Sequence, residues 1–106
     1  MLIKNVKIFD RNSFPYRIKN SDSQLVQILY NAPVVNGNGK NSQVVGYIKE
    51  AYKGINNIYG TVFIHPKYSE YTNWNVVSQE IIADIENYDS TDVIVKDIII
   101  RIEGKL

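Results

Sequence analysis

Gln43–His65, QVVGYIKEAYKGINNIYGTVFIH, decides how the rest of the chain is read. Two runs rich in β-branched and aromatic residues flank Lys53-Gly54-Ile55-Asn56-Asn57, and Gly and Asn are residues that turn a chain sharply. Val45 and Tyr47 before the turn, like Tyr59 and Phe63 after it, have side chains that pack well on a pleated surface. The first run has a helical competitor, with Ser42 as N-cap, Val44, Ile48 and Tyr52 as a stripe, and Gly54 as a stop. The strand reading is preferred, and it gives a long hairpin. Gly46 and Gly60 interrupt the two runs, and a glycine inside a strand marks a bulge, a bend or a close approach of backbone.

Upstream, Leu2 to Phe9 alternates, with Leu2, Val6 and Ile8 on one side and Asn5 and Lys7 on the other, as a half-buried strand does. Arg11 to Asn20 holds Asn12-Ser13, Pro15 and Asn20, a loop signature, with the rings of Phe14 and Tyr16 expected against the body. Gln24 to Tyr30, QLVQILY, has two readings. Ser21 and Gln24 have capping-box spacing for a short helix, whereas Val26, Ile28 and Tyr30 alternate until Ala32-Pro33; the strand is preferred. Asn36 to Asn41 reads as an exposed loop, because Gly and Asn tolerate positive φ.

Downstream, Trp74, Val77, Ile81, Ile85 and Tyr88 fall on one helical stripe with Ile82 at its border. Gln79, Glu80, Ala83 and Glu86 face away, which predicts an amphipathic helix over 74–88. Asp89-Ser90-Thr91-Asp92 ends it. VIVKDIIIRIE, from Val93 to Glu103, reads as a central strand with Ile94, Ile98, Ile100 and Ile102 on one face and Val95 and Ile99 on the other. No repeat, heptad pattern or linker divides the chain. The expected architecture is a single α+β domain over 1–106, a mostly antiparallel sheet of about five strands with one helix packed on it.

A length of 106 residues suits one modest core, and an apolar fraction of 44% with 22% charged residues is ordinary for a globular domain. The formal net charge of +1 supplies no broad field to attract phosphate backbones. With no cysteine there are no disulfides and no thiolate-bound metals, and a single histidine leaves few routes to a transition-metal site. Met1-Leu-Ile-Lys lacks the layout of a signal peptide, and no apolar run approaches the roughly 20 residues that span a bilayer. A cytoplasmic protein without a membrane partner or cofactor is the expectation. Sixteen Ile and twelve Asn suggest AT-rich coding sequence, as in a low-GC bacterium or its phage.

His65 is the side chain whose unperturbed pKa lies nearest neutrality. It sits where a strand enters a loop, and a small hydrolase would need it beside Ser69, Ser78 or Glu70. Nothing in the spacing selects one of these, so a structural histidine is preferred. Gly37-Asn38-Gly39-Lys40 lacks the full spacing of a phosphate-cradling loop. Asp84, Glu86, Asp89 and Asp92 lack the ligand order of a calcium loop. Neither a catalytic nor a metal site is expected.

Two surfaces remain. Lys4, Lys7, Arg11, Arg17 and Lys19, interleaved with Phe9, Phe14 and Tyr16, suit a single-stranded nucleic-acid surface or a lysine-guarded strand edge. Tyr47, Tyr52, Tyr59, Tyr68 and Tyr71 cluster around the hairpin and its exit, and tyrosine is common at interfaces. Those five tyrosines with Arg11 and Arg17 are the candidate binding residues.

From Asn31 onward the order of elements resembles the phage prohead (capsid-maturation) protease fold. Asn31-Ala32-Pro33 ends a strand, the hairpin SQVVGYIKEAY–KGINN–IYGTVFI comes next, then a helix with EIIADIENYD and a strand with DVIVKDIII. The resemblance covers about two-thirds of the chain, with G-Y-I-x-x-A-Y and I-Y-G-x-V as local support. In that family the first strand end carries a histidine and the strand after the helix a serine nucleophile. The matching places here hold Ala32 and, roughly, Ile94-Val95-Lys96, so the resemblance implies a catalytically empty relative. The functional expectation is a small non-catalytic phage-type protein acting by protein–protein contact or self-association. It would serve capsid or head assembly, or inhibit a host enzyme or defence complex. Sequestering a nucleotide signal or binding nucleic acid is the alternative.

Overall fold

The computed structural model describes residues 1–37, 42–68, 72–85 and 91–105. Its elements are β1 (Leu2–Phe9), β2 (Arg17–Ile18), α1 (Asp22–Leu29), β3 (Pro33–Asn36), β4 (Gln43–Lys53), β5 (Ile58–Ile64), β6 (Thr72–Ile85) and β7 (Asp92–Lys105). Single 3₁₀ turns lie at Arg11–Ser13 and Pro66–Tyr68. The expected hairpin is β4–β5, closed where the Gly54 N–H donates to Asn57 O at 2.8 Å.

The sheet runs β1-β5-β4-β3-β7, and β6 pairs with β7. The β3–β7 and β2–β7 ladders are parallel and the others antiparallel. β7 is central, as expected. β6 occupies one of its edges, while β2 and β3 share the other, β2 at Asp92–Val93 and β3 at Ile100–Ile102. Between those two short strands the chain leaves the sheet as α1, which lies against β4 and β7. β1 and β6 approach each other at the two ends, so the sheet curls into a nearly closed barrel. Leu25 and Leu29 of α1 pack with Val34, Ile48, Ile64 and Ile100 in the enclosed core.

The α+β class with strands predominating stands, but the described residues form seven strands rather than about five. The largest correction is residues 74–88. They were expected to be a helix, yet 72–85 form β6, and 86–88 lie outside the described residues. β6 is rich in Val and Ile, which favour strands, and its register with β7 slips between Thr72 and Asn75 and between Val76 and Ser78. Each slip adds one residue on β6, and an extra residue turns the two-residue period of a strand into a local three. Combined with ordinary twos, that imitates a helical stripe.

β7 is bulged too. Ala83 pairs with Val95 and Ile82 with Asp97, leaving Lys96 as the extra residue. The phase change puts Val93 and Val95 on the same buried face as Ile98, Ile100 and Ile102. Ile94 is therefore not on their face, contrary to the expected set of four isoleucines. β1 shows the same effect. Its shift between Ile3 and Val6, where Asn5 takes φ 56, turns Ile3 inward and leaves Leu2 exposed.

Gln24–Tyr30 is also corrected, from strand to helix. Ser21 Oγ accepts the Gln24 N–H at 3.2 Å, and Gln24 Oε1 accepts the Ser21 N–H at 2.8 Å. This reciprocal cap satisfies two donors that a helix start leaves free. Leu25 and Leu29, four apart, are the buried pair, and Asn31 ends the segment at φ 63, which Asn tolerates better than most residues. Phe14 packs on the core and stacks on Phe9 at 5.5 Å, but Tyr16 is exposed instead of tucked in.

Both glycine readings hold. β4 carries extra residues at Val45, against β3, and at Lys49, against β5. A Cβ on Gly46 would stand 1.8 Å from the Phe63 carbonyl oxygen, and one on Gly60 2.3 Å from that of Glu50. Close backbone approach at the bulges is what these glycines permit.

Candidate binding face

Register alone builds the face. Leu2 of β1 pairs with Phe63 of β5, which pairs with Tyr47 of β4; Lys7 pairs with Tyr59, which pairs with Tyr52. Directly paired residues point to the same side of a sheet, so two rows, Leu2–Phe63–Tyr47 and Lys7–Tyr59–Tyr52, cross the outer surface. Between them lie Thr61 with Glu50 and the bulged Lys49. Tyr47 and Phe63 have ring centroids 5.0 Å apart and tilted by 35°, while Tyr52 stacks on Tyr59 at 6.3 Å.

The Tyr52 hydroxyl donates to Asn5 Oδ1 on β1, two strands away. That bond holds the ring down across β5, with its other side outward. Tyr47 keeps 38% of its surface exposed and Tyr52 41%, so the rings are anchored yet available. A hollow lined by Leu2, Lys4, Asn5, Lys49, Glu50 and Tyr52 separates the rows. Lys4 and Lys49 carry no ion pair among the described residues.

Beyond Phe63 the face continues into a groove of about 360 Å³ lined by Val44, Tyr47, Phe63, His65, Lys67 and Tyr68. Lys67 Nζ lies 5.6 Å from the centre of the Tyr68 ring, a cation–π distance. His65 Nδ1 accepts the Lys67 N–H at 3.2 Å, so one ring nitrogen serves its own turn. No carboxylate, serine or threonine is among the described residues lining this groove. Of the partners His65 would need, Ser78 lies on β6 opposite Arg101, and Ser69 and Glu70 lie outside the described residues.

The candidate residues separate into two places. Tyr47, Tyr52 and Tyr59 share the outer face, Tyr68 borders its groove, and Tyr71 lies outside the described residues. Arg11 and Arg17 are elsewhere, around a depression with Asn12, Tyr16, Ile18 and Lys19. Arg11 acts structurally. It donates to Ile18 O at 3.2 Å and Asn20 O at 3.1 Å and meets Asp22 Oδ1 at 2.6 Å. Lys53 Nζ reaches the other oxygen of Asp22 at 3.0 Å. The Lys53 and Arg11 contacts hold the Asp22 carboxyl below the usual 3.8.

Of the Gly37–Lys40 motif, Gly37 has φ 103 and residues 38–40 lie outside the described residues. Asp84 lies on β6 beside Lys96 at 3.6 Å and Asp92 opens β7, while Glu86 and Asp89 lie outside. Among the described residues no three His, Asp or Glu side chains gather as metal ligands, and no helix is long and apolar enough to cross a membrane.

Sequence reasoning missed Phe63, Asn5 and Lys49 as parts of the face. It also missed how charge is divided. Nine of the twelve lysines and arginines but three of the eleven acidic residues fall in 1–68, a net of +6. Residues 69–106 hold the other three and eight, a net of −5. The near-zero total hides this split, and the sheet order keeps it apart, because β1, β5 and β4 belong to the first part and β6 and β7 to the second. Summing the two parts separately would have found it. Comparison with protein-family models, with curated proteins and with solved structures gave no match.

Proposed function

We propose that this chain is a non-catalytic binding or assembly protein that acts by protein–protein contact through the outer face of β1, β5 and β4. The observation that carries the reading is the pair of cross-strand rows, Leu2–Phe63–Tyr47 and Lys7–Tyr59–Tyr52. Tyrosine offers wide contact area at low entropic cost, and here the rings are pre-ordered by stacking and by the bond to Asn5. A phage-type role in head assembly, or in occupying a host enzyme or defence complex, is the finer version of this proposal.

A second reading, a single-stranded nucleic acid or nucleotide ligand, is favoured by the flat Tyr52 ring beside Lys4 and Lys49. The carboxylate of Glu50 between the two rows weighs against phosphates there. A hydrolase built on His65 has less support, because the described groove beside it lacks a nucleophile–base pair.

The test is photo-cross-linking in the producing cell, with benzoylphenylalanine replacing Tyr47 or Tyr52 in turn and, as a control, Lys19. Discrete protein adducts are expected at 47 and 52 and not at 19. Adducts absent at both face positions would sink the reading.

A further inference from the structure

The partner chemistry that this face calls for is present on the chain itself. β5 and β7 stand three strands apart by either route round the curled sheet, so their outer surfaces face in opposite directions. Outward on β6–β7, by register, are Glu80, Ile82 and Asp84 with their partners Ile99, Asp97 and Ile94, and Glu103 nearer the end of β7. Lys96 pairs with Asp84 at 3.6 Å, and Arg101 with Glu80 at 2.7 Å. Asp97 and Glu103 have no ion pair among the described residues, and this surface keeps a negative balance. Ile82, 54% exposed, forms its apolar centre with Ile94.

The two surfaces are therefore complementary. One has an aromatic centre where Lys4 and Lys49, without an ion pair among the described residues, outnumber Glu50; the other has an isoleucine centre with Asp97 and Glu103, likewise without an ion pair among the described residues. Opposite charge around apolar centres steers and orients association. Resting on the reading of the tyrosine face as a protein-contact surface, we infer that its partner is a second copy of this chain, docked head to tail through the outer face of β6–β7. Such a contact uses two different patches, so it closes into a ring or continues as a filament rather than stopping at a symmetric dimer.

Sedimentation equilibrium of the full chain tests this. At low salt the average mass should rise with concentration beyond a dimer, and the association constant should fall at least tenfold when salt is raised from about 0.05 to 0.5 M. Two variants reverse one surface each: Lys4→Glu with Lys49→Glu, and Asp97→Lys with Glu103→Lys. All four side chains are exposed, and circular-dichroism melts would confirm that both variants fold. Each alone should be monomeric, its two surfaces now bearing the same sign. An equimolar mixture should regain mass, because each surface again meets its opposite.

A wild-type chain monomeric at about 1 mM, where interactions of even weak affinity are populated, would overturn the inference. So would association that neither reversal weakens at least tenfold. A monomer that binds a fluorescent oligothymidylate, with binding lost in Lys4→Glu/Lys49→Glu, would overturn it as well and assign the face to nucleic acid. Cross-links from Tyr47 and Tyr52 to another protein, found with a strictly monomeric chain, would remove the self-contact and leave the proposed function standing.

Discussion

The β4–β5 and β6–β7 hairpins are both bulged, but they manage their bulges in opposite ways. On β4 the extra residues Val45 and Lys49 lie near glycines, and backbone comes so close at Gly46 and at Gly60 of β5 that no side chain fits. In β6–β7 the extra residue of β7, Lys96, simply joins Asp97 on the outer side, exposed to water. The neighbours differ as well. β4–β5 is flanked by β3 and β1, whereas the second edge of β7 is shared between two short strands and a side chain. The first hairpin gets its shape from tight local contacts; the second depends on correct phase along one long strand.

The sharpest way to break that contrast is to delete Ile99, which lies outside the bulge. With that residue gone, Ile100 and Ile102 lose phase with Val93, Val95 and Ile98, and either set must turn out of the core. Exposing two isoleucines costs roughly 3–6 kcal/mol, a large share of the stability of a small domain. Loss of cooperative unfolding is expected in a thermal melt. Deleting the bulged Lys96 instead leaves the five buried side chains at regular two-residue spacing, so that variant should melt far closer to wild type, and equal losses would show that phase along β7 does not matter.

Substitution should separate the hairpins in the other direction. Gly46→Ala places a Cβ against backbone 1.8 Å away, so two strands must move, for a loss of about 3 kcal/mol. Lys96→Ala removes an exposed side chain and a weak ion pair, and should cost less than about 0.5 kcal/mol. Urea midpoints of the two variants give the comparison directly, and equal losses would contradict it.

The same contrast explains how much was legible. Gly46 and Gly60 announced irregular strands, so the β4–β5 hairpin could be read despite its helical competitor. β6 offers no such marker: within Thr72–Ile85 there is no glycine or proline, and its bulges imitate a helical stripe. At α1 the signal is present, since Ser21 and Gln24 spell out the cap, but alternation at Val26, Ile28 and Tyr30 competes with it. The tyrosines of the hairpin were found by residue type. Their assembly with Leu2, Phe63 and Asn5 was not, because a cross-strand row depends on register and register depends on where each bulge falls. The structural contacts of Arg11 were illegible for a similar reason; its partner Asp22 is eleven residues away and meets it only once α1 is in place.

Asn20 tests the shared edge of β7. Its side-chain amide receives the Val95 N–H at 2.7 Å and donates to Val95 O at 3.1 Å, standing in for one residue of a strand between β2 and α1. The residue is buried, so Asn20→Ala would leave both Val95 groups without those partners, at about 2 kcal/mol. Amide hydrogen exchange should accelerate at Val95 more than anywhere in β4–β5. Uniform acceleration across both hairpins would mean that the edge is not held locally.

Asp22 gives the smallest effect, and it concerns the link between the two regions. Its carboxylate joins Lys53 at the end of β4 to Arg11 and to the first turn of α1, which packs on β7. Lys53 first and Arg11 second lower its pKa in the folded chain, so unfolding raises the proton affinity of this group. Its stabilisation is therefore fully present above the ordinary value of 3.8 and is lost as pH falls through the lowered folded value. The side chain is about one-third exposed, and solvent screening keeps the contribution below about 1 kcal/mol. Asp22→Asn should lower stability slightly at pH 7, and the gap to wild type should close towards pH 2 in parallel urea titrations. A gap that stays constant with pH would assign the loss to packing at the start of α1 and not to the bridge between the hairpins.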